Sequence, residues 1–181
     1  MIVKIATAEC FTHGKIAQEI HAFSQDYPQN HTWNINPEDF NLSLVAGMFI
    51  PTINGVKNML KFDPLPPLET INDIKVYNQE EDMEMAVLMA RSIKEITSSD
   101  IGIGTTAGVG KGGIAVCNEE FLLLSSSDVS TDLRNSDSAL IFQRQKSGIE
   151  KALYMLECLI TDDFKNIGSR GIVKNRMKDL D

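Results

Sequence analysis

Cysteine is scarce. The 181 residues hold only Cys10, Cys117 and Cys158, an odd number with no CxxC pair and no histidine at ligand spacing. This argues against a structural zinc site and against a disulfide framework. Long apolar runs are missing too. The opening MIVKIATAEC turns polar after a short hydrophobic stretch, and nothing approaches the roughly 20 residues that a membrane span needs. No export signal is visible, so a cytoplasmic protein is expected. Positive charge is the third shortage: 17 Lys and Arg stand against 25 Asp and Glu, a net charge of −8, and the basic residues are scattered. A chain of that balance is a poor partner for a phosphate backbone or an anionic membrane. No internal repeat appears. With 43% hydrophobic content the chain can bury one core without staples, which makes 1–181 a single domain, its residues from Thr161 onward a charged tail that folds back or stays loose.

Hydrophobic periodicity supplies the elements. Ile2 to Ala8 reads as a buried first strand, and Thr12 offers an N-cap for a helix carrying Ile16, Ala17, Ile20 and Phe23 on one face. The polar stretch from Gln25 to Asn41, with the only Trp, reads as an irregular excursion. Leu42 to Ile50 reads as a second strand, and Ile53 to Phe62 as a short helix stopped before Pro64, Pro66 and Pro67. Ile74 to Tyr77 is a short strand. Gln79 to Thr97 is a helix led by Glu80, Glu81, Asp82 and Glu84, with Met85, Ala86, Met89, Ala90, Ile93 and Ile96 at helical spacing. Asp100 to Thr106 is a strand that enters a glycine-dense segment; Gly113 to Cys117 and Phe121 to Ser125 form a hairpin. A last helix runs from about Ser136 to Ile160, with Ile141, Phe142, Ile149, Ala152, Leu153, Leu156 and Ile160 as its apolar positions.

Two segments carry chemistry. Thr7-Ala8-Glu9-Cys10-Phe11-Thr12-His13-Gly14 lies where a strand gives way to a helix, and free amides there favour an anion and would lower a thiol pKa. Cys10 is therefore either a reactive thiol or a small buried hydrophobe, while Cys117 and Cys158 read as core residues. His13 stands beside Cys10 as a hydrogen-bonding or proton-transferring group; His21 and His31 read as surface or packing residues. The second segment, Asp100 to Gly113, has glycines that allow close approach of backbone to a ligand or simply make turns. Gly108, Gly110 and Gly113 spell GxGxxG, but strand rather than helix follows, and Walker A fails because Gly112 follows Lys111. Asn54 and Lys57, three apart at a helix start, face either a ligand or solvent.

In this order the elements resemble the CinA C-terminal domain. The opening is similar to its Thr-Ala-Glu-Ser-Cys-Thr-Gly-Gly, Asn54-Gly55-Val56-Lys57 to its Asn-x-x-Lys, the Glu80 to Ala90 helix to its acid-led helix, Asp100 to Gly108 to its Asp-Ile-Gly strand and glycine loop, and Arg144 to Leu156 to its last helix. The family's serine nucleophile, next cysteine, one glycine and loop proline are replaced by Cys10, Phe11, His13 and Val109, which sets the chain apart from deamidation. The variant opening Ala-Thr-Ala-Glu-Cys-Phe-Thr-His-Gly-Lys resembles the HcgF family of iron-guanylylpyridinol cofactor biosynthesis, over nearly the whole chain. The resemblance implies a single-domain three-layer α/β sandwich with a mixed sheet. It also implies guanylylpyridinol as ligand, with no tightly bound cofactor or metal, and a thioester between the ligand's carboxylate and Cys10. Because a free carboxylate must be activated first and no ATP motif stands here, an adenylating enzyme resembling HcgE is the implied partner. Lys57 and His13 are the implied polar helpers, with Thr7, Glu9, Thr12, Asn54, Thr105, Thr106, Gly108 and Gly110 near the ligand. A CinA-like pyridine-nucleotide amidohydrolase and a non-catalytic guanylylpyridinol carrier are the alternative readings, and a homo-oligomer stays open.

Overall fold

The computed structural model describes residues 2–135 and 137–179. In chain order they form β1 (Val3–Glu9), α1 (Lys15–Ser24), β2 (Leu42–Phe49), α2 (Ile53–Gly55) running into a π-helical turn (Val56–Leu60), β3 (Glu69–Ile71), β4 (Ile74–Val76), α3 (Gln79–Thr97), β5 (Ile101–Thr106), β6 (Val109–Gly110), β7 (Gly113–Cys117), β8 (Phe121–Ser125), β9 (Thr131–Asp132), α4 (Ser138–Thr161) and β10 (Val173–Arg176). Six strands make one sheet in the order β10-β8-β7-β5-β1-β2. β1 pairs in parallel with β2 and β5, and the remaining pairs are antiparallel, so the sheet is mixed.

Strand alternation builds the three layers. Ile5, Ile101, Ile103, Ile114, Val116 and Leu123 face α1 and α4, where they meet Ile16, Ile20, Phe23, Leu153 and Leu156. Ala6, Ala8 and Ala115 face the other way, among the small and methionine side chains of α3. The Ile-Gly-Ile-Gly run of β5 makes this asymmetry extreme. Its isoleucines fill one layer, and its glycines let α3 rest on the strand; a Cβ at Gly104 would stand against the Ala86 carbonyl and 2.5 Å from the Ala90 amide. α3 starts with a capping box in which Asn78 accepts from the Glu81 amide at 3.0 Å and Glu81 accepts from the Asn78 amide at 3.1 Å.

Several expectations need correction. The short second helix ends at Lys61 in the left-handed region, φ 61°, ahead of the prolines, and a two-stranded ladder of β3 and β4 follows it. The expected start of the last helix, Ser136, lies outside the described residues; the helix is seen from Ser138. Its inner face carries Arg144, Gln145 and Gly148, with the Phe11 ring over Gly148, while Phe142, on the turn before, is 61% exposed; Ile96, at the end of the expected α3 stripe, is exposed too. Of the two readings of the tail, its described part takes the folded-back one: β10 pairs antiparallel with β8 at the sheet edge. The 25–41 segment lacks regular structure but is pinned by two buried carboxylates. Glu19 accepts the amides of Gln29, Asn30 and His31, and Glu157 accepts from the amide and side chain of Asn34 and bonds His31 Nε2.

Candidate functional site around Cys10

Because β1 and β5 are parallel with Glu9 opposite Thr105, their carboxyl ends lie side by side, and the turn after β1 meets the glycine loop after β5. The Cys10 amide donates to the Thr105 carbonyl at 2.9 Å and lies 3.3 Å from Thr105 Oγ1. Thr12 Oγ1 sits 2.8 Å from Thr105 Oγ1 and donates to Glu9 Oε2 at 2.7 Å. Thr7 donates to Glu9 Oε1 at 2.9 Å. The amides of Ile16 and Ala17 also donate to Glu9, at 3.2 and 2.9 Å.

The cap of α1 is therefore Glu9, reaching in from the strand, and not Thr12. The chain makes a turn first, with the His13 amide donating to the Cys10 carbonyl at 3.2 Å, His13 at φ 56° and Gly14 at φ 77° in the cap position. The helix-end amides that an anion would use are held by the protein's own carboxylate. Burial pushes the Glu9 pKa up, and the four hydrogen bonds pull it back. Thr7, Glu9, Thr12 and Thr105 thus form one internal network behind Cys10, which is 6% exposed.

On the other side of Cys10 lies a set of groups that was not singled out from the sequence. Asp82, from the first turn of α3, is fully buried and accepts the Gly108 amide at 2.7 Å through Oδ2. Arg144, 1% exposed, donates through Nη1 to the carbonyls of Gly108 and Gly110 at 3.0 Å each and of Thr131 at 3.2 Å. Gln145 donates to the Phe11 carbonyl at 3.0 Å and accepts from Lys15 Nζ at 2.7 Å. Burial raises the Asp82 pKa to about 7, against the pull of the Gly108 amide, Thr106, Arg144 and Lys75 in that order. The Thr106 hydroxyl is near enough to lower the Asp82 pKa, yet neither Thr106 Oγ1 nor Asp82 Oδ1 makes a hydrogen bond of ordinary geometry, and Arg144 Nε makes none either. Burial lowers the Arg144 pKa, and Asp82, Cys10 and Asp132 raise it again, so the guanidinium lies within electrostatic reach of the thiol. Tyr77, also raised by burial, feels the charges of Asp82, Glu81 and Cys10. Lys75 is buried with its ammonium on the carbonyls of Ile50 and Pro51 at 3.0 and 3.2 Å. Helical phase was the available signal: Asp82 continues the Met85, Ala86, Met89 stripe, and Arg144 the Gly148, Ala152 stripe.

The glycines of the loop are used inward. A Cβ at Gly108 would collide with the Tyr77 backbone, 2.5 Å from its carbonyl oxygen, and one at Gly110 would stand 2.7 Å from Gln79 Oε1. His13 is exposed and meets the Phe49 ring at a tilt of 49° with centroids 4.9 Å apart, its pKa lowered by partial burial and by Lys15. Asn54 and Lys57 sit on the surface around α2, committed to acids. Asn54 donates to Asp73 through its amide and side chain at 3.2 and 3.0 Å, and Lys57 pairs with Asp63 at 2.8 Å. A cleft of about 340 Å³ adjoins the Cys10 turn through Gln145, lined also by Lys15, Gln18, His31, Phe142 and Leu153. Among the described residues no cluster of His, Cys, Asp and Glu could hold a metal ion, and no helix is long and apolar enough to cross a membrane.

Fold and site together define an α/β sandwich that keeps a thiol at the carboxyl end of a parallel strand, between a saturated carboxylate network and a clamped glycine loop. The chain belongs to the HcgF family: its residues 2–160 match the model described as FeGP cofactor biosynthesis protein HcgF. Its relatives come from methanogens. A UPF0254 protein of Methanothermobacter thermautotrophicus strain Winter is 56% identical over 89% of this chain and 98% of its own length. One from the Delta H strain of that species is 52% identical over 88% and 99%, and one from Methanopyrus kandleri is 37% identical over 99% and 100%. Membership assigns the chain to biosynthesis of the FeGP cofactor.

Proposed function

We propose that this protein takes the carboxylate of guanylylpyridinol as a thioester on Cys10. An adenylating partner resembling HcgE first joins that carboxylate to AMP, releasing pyrophosphate from ATP. The Cys10 sulfur then attacks the acyl carbon; a C–S bond forms, the C–O bond to AMP breaks, AMP leaves, and the thiol proton passes to solvent. The observation that carries the reading is the placement of Cys10, held by its amide on Thr105 and within the field of Arg144, in a chain of the HcgF family. Lys57 joins a bound ligand only by exchanging its ion pair with Asp63, whereas His13 is exposed three residues from the thiol.

The test is intact-mass spectrometry after incubation with guanylylpyridinol, ATP and the adenylating partner. The expected adduct is lost with neutral hydroxylamine and is absent from Cys10→Ala. An adduct that persists in Cys10→Ala, or none despite demonstrated acyl-adenylate, overturns the reading. The near-complete burial of Cys10 favours one second reading, a carrier that holds guanylylpyridinol without a covalent bond. Unchanged affinity and full function in Cys10→Ser would select it.

A further inference from the structure

A recess of about 500 Å³ opens between α4, the segment after β8 and the chain ahead of β10, and no residue of the Cys10 turn lines it. Its charges are unevenly matched. Asp128 is already served: it accepts from Lys151 Nζ and from Ser147 Oγ at 3.0 Å, and its amide donates to the same hydroxyl at 2.9 Å. Glu150 stands on the rim, 3.9 Å from Lys146. Three donors are not served. The side chains of Arg170, Lys111 and Ser126 line the recess and make no hydrogen bond or ion pair among the described residues. In a chain of net charge −8 this surplus of donors is a local feature.

The donors are also held in place. Arg170 ends a 3₁₀ turn (Gly168–Arg170) closed by Gly171 at φ 67°, and its Cζ lies 3.9 Å from the ring centroid of Tyr154. A guanidinium held over a ring keeps its N–H edge free for the oxygens of an anion. Lys111 is fixed through its backbone: its amide donates to Gln79 Oε1 at 2.6 Å and its carbonyl accepts from Ser127 Oγ at 2.8 Å. A second recess of about 500 Å³ shares Tyr154, Ser169 and Arg170 with the first and adds Asp163 and Asn166. The Asn166 carboxamide has no partner among the described residues, and Asp163 spends one oxygen on the Lys165 amide at 3.1 Å, so this half is furnished for hydroxyl groups.

We infer that the two recesses form one binding site for a phosphate ester with a hydroxylated, sugar-sized body: the phosphate lies on Arg170, Lys111 and Ser126, and the hydroxyls lie on Asp163 and Asn166. A carboxylate would be satisfied by the Arg170 fork alone, whereas a phosphate, with nearly two charges and three terminal oxygens, employs all three donors. The assignment does not depend on how Cys10 reacts, so its test is run in Cys10→Ala as well as in the wild type.

The experiment titrates the isotope-labelled full chain with ribose 5-phosphate, inorganic phosphate and ribose at constant ionic strength and follows the backbone amide chemical shifts. Ribose 5-phosphate should give saturable shifts at Lys111, Ser126, Ser127 and Gly171 and also at Asp163 and Asn166. Inorganic phosphate should move only the first group and bind about tenfold more weakly, and ribose should move neither. Arg170→Gln should weaken ribose 5-phosphate roughly tenfold, Arg170→Lys, which keeps the charge but loses the fork, about threefold, and Lys111→Gln about threefold. Cys10→Ala should bind as the wild type does. An unchanged affinity in Arg170→Gln, shifts confined to the Cys10 turn, or shifts that chloride reproduces overturn the inference. Equal affinity for inorganic phosphate overturns the ester and leaves a site for free phosphate. Should Arg170→Gln lose the wild-type pattern of sheet amides, and so be unfolded, Lys111→Gln is the deciding variant and an unchanged affinity there overturns.

Discussion

At the scale of single residues, Asp82 couples the site to the stability of the whole fold. Burial raises its carboxyl to about 7, whereas an exposed aspartate titrates near 3.8. Between those values the unfolded chain has already lost the proton that the folded chain keeps, so stability falls as pH rises through this window and levels off above it. About three pKa units correspond to an upper figure of roughly 4 kcal/mol. Asp82→Asn removes the titration while leaving an acceptor for the Gly108 amide. Urea denaturation at pH 4.5, 6 and 8 should therefore show the wild type losing stability relative to Asp82→Asn step by step, by a few kcal/mol in total. Parallel curves for the two proteins would mean that Asp82 ionises normally in the fold. Glu9 is raised by burial in the same way: four donors converge on it and pull against the shift, but desolvation is the larger influence and its pKa stays above the ordinary carboxylate value.

At the scale of elements, α3 is seated directly on the glycines of β5. Replacing Gly104 by Ala places a methyl group against backbone of Ala86 and Ala90, which cannot turn aside as a side chain could. The helix must lift, and a loss of about 3 kcal/mol is expected. Gly168→Ala, where the missing Cβ has nothing within 4 Å, is the matched control and should unfold at the wild-type urea concentration. Equal midpoints for the two variants would disprove the tight seating. This contact was half legible in the sequence: the α3 stripe marked the buried face of the helix, whereas the β5 glycines read as room for a ligand or as turns and prove to seat that helix. The meeting of the Cys10 turn with the glycine loop was legible, since it follows from two parallel strands ending together. The cap of α1 was not legible, because choosing Glu9 over Thr12 depends on an intervening turn. Nor was the pairing of β10 with β8, or the tethering of the 25–41 segment by Glu19 and Glu157, since both join residues far apart in the chain. Asp82 was read as one acid among four leading a helix. Only its phase on the buried stripe marks it out, and phase acquires meaning once the loop it faces is known.

At the scale of the whole molecule, the three cysteines report on openings of different size. All are nearly inaccessible, at 6%, 0% and 4% exposure for Cys10, Cys117 and Cys158, so exposure in the native state does not rank them. What ranks them is how much structure must part. Cys117 lies in β7 between β5 and β8, with burial raising its thiol to about 11, and reaching it means separating the central sheet. Cys158 lies on the inner face of α4, its pKa likewise raised by burial. Cys10 lies in the connection between β1 and α1, tied by its amide to Thr105 and by its carbonyl to the His13 amide, so reaching it calls for opening a connecting turn while the sheet stays closed. Local openings of that kind expose little new surface and respond weakly to denaturant, while global unfolding responds with the full slope. Under limiting iodoacetamide Cys10 should be labelled first. As urea is raised toward, but kept below, the unfolding midpoint, Cys117 labelling should accelerate in step with the unfolded population and Cys10 labelling should change little. If Cys117 or Cys158 is labelled first, or if Cys10 shares the urea slope of Cys117, the thiol is part of the cooperative core, and an acyl group could reach it only by unfolding the sheet that holds it.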